Sequence, residues 1–199
     1  MKTLTVKGQA TRARIASVAA ELMLINGVGG TSMEDVQKAA RVSTSQLYHY
    51  FGDKHGLVLA VVEHQSEVVL GIQHSFLDGL DSFEAMQEWR DGMVDYQRAR
   101  HCVGGCPIGS LASELSESDP AARADLAIGY TRWDEAIKAG LSAMKAQGKL
   151  SDAAEVDQLA TALLAAIQGG LLLSQVRRDT APLEAALDTM IAHIKSFAA

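Results

Sequence analysis

An all-α fold of about nine helices is what this sequence predicts. Apolar residues recur at three- and four-residue spacing along most of the chain, and no stretch alternates apolar and polar residues for a useful length. The breaks between periodic stretches carry capping and turn residues. At 199 residues, with 48% hydrophobic and 21% charged side chains, the chain can bury a core without disulfides or a structural metal.

The elements follow in order. Ile15, Val18, Ala19, Leu22 and Ile25 mark an amphipathic helix over about residues 9 to 26, ended by Asn26-Gly27. Thr31 with Glu34 matches a capping box and opens a short helix to about residue 40, with Met33, Val36, Ala39 and Ala40 as its apolar face. Ser43 with Gln46 repeats the pattern, so a third short helix is expected to about Tyr50. Gly52-Asp53 break and recap the chain, and Leu57, Val58, Val61, Val62, Val68, Val69 and Ile72 carry a much longer fourth helix. Five further helices are expected near 82–100, 108–116, 120–147, 152–176 and 182–197. Gly104-Gly105 with Pro107, Ser118-Asp119-Pro120, Gly148 before Ser151-Asp152, and Asp179-Thr180 before Pro182 separate them.

The net charge of −6 averages over unlike parts. Residues 1–54 hold seven cations (Lys2, Lys7, Arg12, Arg14, Lys38, Arg41, Lys54) against four acids (Glu21, Glu34, Asp35, Asp53). That leaves +3 there and −9 in the remainder. A weakly basic head on an acidic body fits a terminal DNA-contact surface. No apolar run reaches the roughly 18 residues of a membrane span, and the first residues lack an apolar signal core. Asn26, followed by Gly-Val, is no glycosylation acceptor. A cytoplasmic location is expected, without membrane contact.

Two capped short helices back to back are the frame of a helix-turn-helix, in which one helix braces a second that reads the major groove. Val42 would plug the turn and Leu47 the reading helix. Thr44, Ser45, Gln46, Tyr48 and His49 are then left as hydrogen-bonding groups free of negative charge. The runs Thr31-Ser32-Met33-Glu34-Asp35-Val36, Ala39-Ala40-Arg41-Val42-Ser43 and Leu47-Tyr48-His49-Tyr50-Phe51-Gly52-Asp53-Lys54-His55-Gly56-Leu57 together resemble the DNA-binding domain of the TetR family of regulators, over about residues 10 to 60.

This resemblance implies a helix-turn-helix DNA-binding domain at 1–54 and a helical ligand-binding and dimerisation domain at 55–199. It implies that Thr44 and Ser45 face bases, and that Gln46, Tyr48 and Tyr50 contact phosphates or bases near the edge of a half-site. Lys54 and the free N–H groups at the start of the fourth helix would hold one phosphate. Thr31 or Ser32 would do likewise at the second helix, with a purely structural cap as the other reading of Thr31. Ser43 and His49 complete the candidate face. Arg41 departs from the family pattern, which has Gly in this turn. A side chain forced to positive φ costs roughly 1–2 kcal/mol, so either the turn differs or Arg41 offsets the strain with a phosphate contact.

Regulators of this family dimerise through their last two long helices. The candidate seam here is the small-residue-rich stripe of Leu159, Leu163, Ala166, Gly170 and Leu173, with Leu187, Met190, Ile191 and Ile194; the alternative is that the same faces form the core of one copy. Phe76, Phe83, Met86, Trp89, Met93, Tyr96, Tyr130, Trp133 and Ile137 are either plain core or the lining of a pocket for a small apolar inducer, where the resemblance places one. Cys102 and Cys106 are read as packed thiols, as redox or electrophile sensors, or, with His101, as an incomplete metal site. No nucleophile elbow, phosphate loop or metal-ligand helix is present, so no catalysis, cofactor or metal is expected. The function expected is a homodimeric repressor on a palindromic DNA operator, released when an inducer shifts the pivots at helix four. The alternatives are a thiol-based sensor and a helical interaction module that binds no DNA.

Overall fold

The computed structural model describes residues 4–199, apart from the side chains of His74 and Ser75. Among the described residues are nine helices and no strand: α1 (Val6–Asn26), α2 (Met33–Ala40), α3 (Thr44–Phe51), α4 (Lys54–Leu77), α5 (Phe83–Ala99), α6 (Pro107–Leu115), α7 (Pro120–Ala146), α8 (Val156–Arg177) and α9 (Ala181–Lys195). Helix α1 starts earlier than its periodicity implied, because the Thr5 hydroxyl accepts the Gly8 N–H at 3.2 Å and caps it. Helix α8 starts later than expected. Residues 149–151 are held to the chain's end by an isolated bridge, Leu150 to Ala198, and by the Ser151 N–H donating to the Phe197 carbonyl.

The chain divides into two compact units. One runs through Val69 and takes in Ser110–Gly129; the other holds Leu70–Gly109 and Tyr130–Ala199. In the first, α1 packs on α2 and α2 on α3. Helix α1 buries Ile15, Ala16, Ala19, Ala20 and Met23. Ile25, expected on that face, is exposed: the buried stripe drifts round the helix and leaves it on the outer side of the last turn. Val68 and Ile72 of α4 are exposed as well, although Leu57, Val58, Val61, Val62 and Val69 are buried. Arg14 on α1 donates to the Ala40 carbonyl at 2.5 Å, satisfying a free acceptor at the end of α2. The Val28 N–H, just past α1, donates to the Glu114 carboxylate at 2.8 Å.

In the second unit α8 packs along α9, and α5 against α9. A Cβ built on Gly170 would stand 2.9 Å from the Leu183 backbone, so a glycine is what lets these two helices approach so closely. Arg90 on α5 makes a two-pronged ion pair with Asp188 on α9, both bonds 2.8 Å. Gly105 and Gly109 likewise clear space for α8: Cβ atoms there would run into the side chains of Gln175 and Gln168.

Candidate nucleic-acid interface

Both short helices of the head are capped by the same device, one residue out of the expected register at α2. Ser32, not Thr31, is the N-cap: its hydroxyl accepts the Asp35 N–H at 3.1 Å, and the Asp35 carboxylate accepts the Ser32 N–H at 2.9 Å. The Asp35 carboxyl is held below its ordinary value, first by the hydrogen bond from the Ser32 hydroxyl and then by that from the Ser32 backbone. Thr31 is buried, with its hydroxyl donating to the Gly27 carbonyl at 2.9 Å. That removes Thr31 from the candidate DNA face. Its neighbour had the better geometry because Asp, like Glu, can close the box. At α3, Ser43 accepts the Gln46 N–H at 3.1 Å and Gln46 Oε1 accepts the Ser43 N–H at 3.0 Å, as expected.

The turn between them carries Arg41 in the left-handed region, φ 52° and ψ 51°. The conformation that ordinarily favours Gly is therefore kept, with Arg in it. Val36, Ala40, Leu47 and Phe51 are buried, Met33 and Val42 are half-buried, and Ala39, expected in the apolar face, is exposed. Eight-residue helices present too narrow a stripe to bury every apolar position. Phe51 carries the Arg12 guanidinium over its ring at 5.6 Å.

What this frame leaves outward is a set of polar side chains on α3 and on the turn and helix starts beside it. Ser32, Arg41, Ser43, Thr44, Ser45, Gln46, Tyr48 and His49 are exposed, and Tyr50 and Lys54 half-exposed. Not all are equally available. Gln46 is engaged in its cap, and the Thr44 hydroxyl donates to Gln37 Oε1 on α2 at 3.1 Å. Gln37 is a residue that periodicity passed over, because a polar position on the bracing helix reads as solvated. His49 meets Tyr50 edge to face, with centroids 5.2 Å apart. At the start of α4 the Asp53 carboxylate accepts the Gly56 N–H at 2.8 Å, beside Lys54. A surface of hydroxyls, an amide, a phenol and a lysine, with helix N-termini beneath it, can bond phosphates and base edges without repelling the duplex.

In the second unit, Met86, Trp89, Trp133 and Ile137 are fully buried and Met93 nearly so; Phe83 and Tyr130 are half-buried, and Phe76 and Tyr96 exposed. The two tryptophans differ in their polar ends. Trp89 Nε1 donates to Gln73 Oε1 at 3.0 Å, whereas the buried Trp133 Nε1 has no hydrogen-bond partner among the described residues. Tyr130 donates to Gln168 Oε1 at 3.3 Å, and its burial holds the phenol strongly toward the neutral form. Both thiols are free and buried; burial pushes the Cys106 thiol up, and its Sγ accepts the Gly109 N–H at 3.4 Å. Among the described residues no three His, Cys, Asp or Glu side chains are grouped to hold a metal ion.

The stripes expected between two copies fall elsewhere. Leu159, Leu163, Gly170, Leu187, Ile191 and Ile194 are buried within the single chain, as core of the α8–α9 pair. Ala166 and Met190 are half-buried. Only Leu173 of that set is exposed, and it is joined on α8 by Leu172 and by Val176, which is 74% exposed. Periodicity finds an apolar stripe but does not say which neighbour the stripe faces. By length and composition α8 is apolar enough to cross a membrane, with 44% of its most apolar stretch buried.

Comparison with known proteins places this geometry. A model of the bacterial regulatory proteins of the tetR family matches residues 15–61, and one of the LmrA/YxaF-like transcriptional regulator C-terminal domain matches residues 82–189. The uncharacterized HTH-type transcriptional regulator in the lacX 3′ region of Lactococcus lactis subsp. lactis is 29% identical over 188 residues, 90% of this chain and 91% of the relative. YxaF of Bacillus subtilis (strain 168), an uncharacterized HTH-type transcriptional regulator, is 26% identical over 182 residues, 90% of this chain and 92% of the relative. The crystal structure of a TetR transcriptional regulator from Chloroflexus aurantiacus J-10-FL has a TM-score of 0.79 at 26% identity, covering 98% of each chain.

Proposed function

This chain belongs to the TetR family of DNA-binding transcriptional regulators, and we propose that it acts as a cytoplasmic, homodimeric repressor released from a palindromic operator by a small, mostly apolar inducer. The observation that carries this reading is the exposed row on the doubly capped α2–α3 frame, with Ser45, Tyr48 and His49 unencumbered by other elements and Lys54 at the next helix start. The reading head comprises residues 1–54 and the sensing and dimerising body residues 55–199. One copy cannot place two reading helices in successive major grooves roughly 34 Å apart. A second copy can, and the face of α8 with Leu172, Leu173 and Val176, flanked by Ala166 and Met190, is where it would seat.

The inducer site is assigned to the interior around Trp133. Its buried, unpartnered indole N–H would receive an acceptor oxygen on a ligand otherwise held by apolar surface. The binding is non-covalent: a buried Cys106 thiol pushed toward its protonated form is a poor nucleophile. Helices α4, α6 and α7 each contribute residues to both units, so any signal from body to head runs along the chain through one of them.

The test is selection of bound sequences from random duplexes, followed by retardation on the recovered site. Recovery of a palindrome whose half-sites are about one helical turn apart supports the reading. No enrichment would overturn it and leave a helical interaction module.

A further inference from the structure

Four residues other than glycine hold a positive φ among the described residues, and three of them, His101 (52°), Cys102 (54°) and Arg178 (55°), line one open cleft of about 430 Å³. Left-handed backbone is unfavourable wherever a Cβ is present. Where it persists, the surroundings over-determine it, and such residues gather at functional sites. Here the two turns hold each other. Arg178 Nη1, at the end of α8, donates to the carbonyl of the buried Cys102, after α5, at 2.9 Å. The guanidinium is thus fixed at the cleft by a single one of its donors.

The charges around it are unevenly matched. Arg98, also in the lining, is paired with Asp95 and Glu184. The Thr180 hydroxyl donates to the same Glu184 at 2.6 Å, and the Asp179 carboxylate accepts the Ala181 N–H at 3.1 Å. Among the described residues Arg178 has no carboxylate partner. A preorganised guanidinium with unused donors matches the planar oxygens of a carboxylate or phosphate. Beside it Val103, 51% exposed, offers apolar surface, and the cleft volume lies in the range that holds small ligands.

We infer that this cleft is a binding site for a small amphiphilic anion, its carboxylate or phosphate head on Arg178 and its short apolar group against Val103. The site is separate from the interior around Trp133 and does not depend on the inducer assignment.

Isothermal titration of the full-length protein tests it, with hexanoate, hexyl phosphate, inorganic phosphate and hexanol as probes. Saturable binding of hexanoate or hexyl phosphate, one per chain, with neither hexanol nor inorganic phosphate matching it, is the expected result. The tighter of the two identifies the head group. Arg178→Gln should weaken that binding about tenfold or more, and Arg178→Lys less, since lysine keeps the charge but loses the fork. Should Arg178→Gln fail to fold, Val103→Asp, at an exposed position, carries the same expectation by setting a like charge against the ligand. No saturable binding of either anion, equal binding of hexanol, or unchanged affinity in a folded variant would overturn the site.

Discussion

Helices α2 and α3 are eight residues each, and each begins on a serine that exchanges hydrogen bonds with the third residue of its helix. Helices α8 and α9 run to 22 and 15 residues, and neither N-cap side chain makes a capping bond. The first pair buries Val36, Ala40, Leu47 and Phe51; the second buries most of two apolar stripes and still exposes Leu172, Leu173 and Val176. Short helices cannot bury enough to hold themselves, so their ends must be closed locally, and their outer faces stay polar and free to bind. Long helices are held by packing, and what packing leaves apolar is surface for another chain.

The largest effect should come from breaking the second pair at its core. Leu163→Glu or Leu187→Glu places a carboxylate where the wild-type side chain is fully buried. A loss of several kcal/mol is expected, seen as a collapsed thermal transition by circular dichroism. Val176→Glu or Leu172→Glu should instead keep the helical signal and abolish the dimer in sedimentation, because both side chains are exposed in the single chain. A folded dimer for Leu163→Glu would show that burial is not what holds α8 to α9.

Next in size are the contacts of the reading face. Tyr48→Ala and Lys54→Ala should leave the melting curve unchanged and weaken operator binding about tenfold each, the worth of one hydrogen bond to a charged phosphate. Lys54→Ala should also lower the salt slope by about one unit per contact. Wild-type affinity at physiological salt in both variants would empty the assigned DNA face.

The caps sharpen the contrast further. Ser32→Ala and Ser43→Ala should each cost about 1 kcal/mol in chemical denaturation, whereas Glu155→Ala, at an N-cap whose side chain bonds nothing there, should stay within about 0.5 kcal/mol of wild type. The Asp35 part of its box has a pH signature. Its folded pKa is lowered, so its contribution is present above the ordinary carboxylate range and is lost as the pH falls through the lowered folded value. The gap between wild type and Ser32→Ala should therefore narrow toward strongly acidic pH, down to what the Ser32 hydroxyl gains from the Asp35 N–H, and a gap that does not change with pH would remove the carboxylate from the cap.

Smallest is Arg41→Gly. Relief of left-handed strain is partly offset by the entropy that glycine loses on folding, for a net gain below about 1 kcal/mol. The same variant tested on operator DNA separates tolerance of strain from a phosphate contact: unchanged affinity means tolerance.

What could be read from the residues alone was whatever depends on near neighbours in the chain. The nine helices, their breaks, the α3 box and the outward row from Thr44 to His49 all follow from periods of three to four residues and from caps that close within one turn. The Thr31-for-Ser32 slip belongs to the same scale, since two adjacent hydroxyls offered two registers. Tertiary structure decided everything that depends on which face meets which. It turned Ile25 and Val68 outward, put Leu163 and Leu187 into the chain's own core, and satisfied Trp89 through Gln73 while leaving Trp133 without a partner. It also brought His101 and Cys102 to Arg178, some 76 residues away. The hydrophobic effect that drives such burial is non-directional. A stripe records that it must be covered, and only the packed chain records by what.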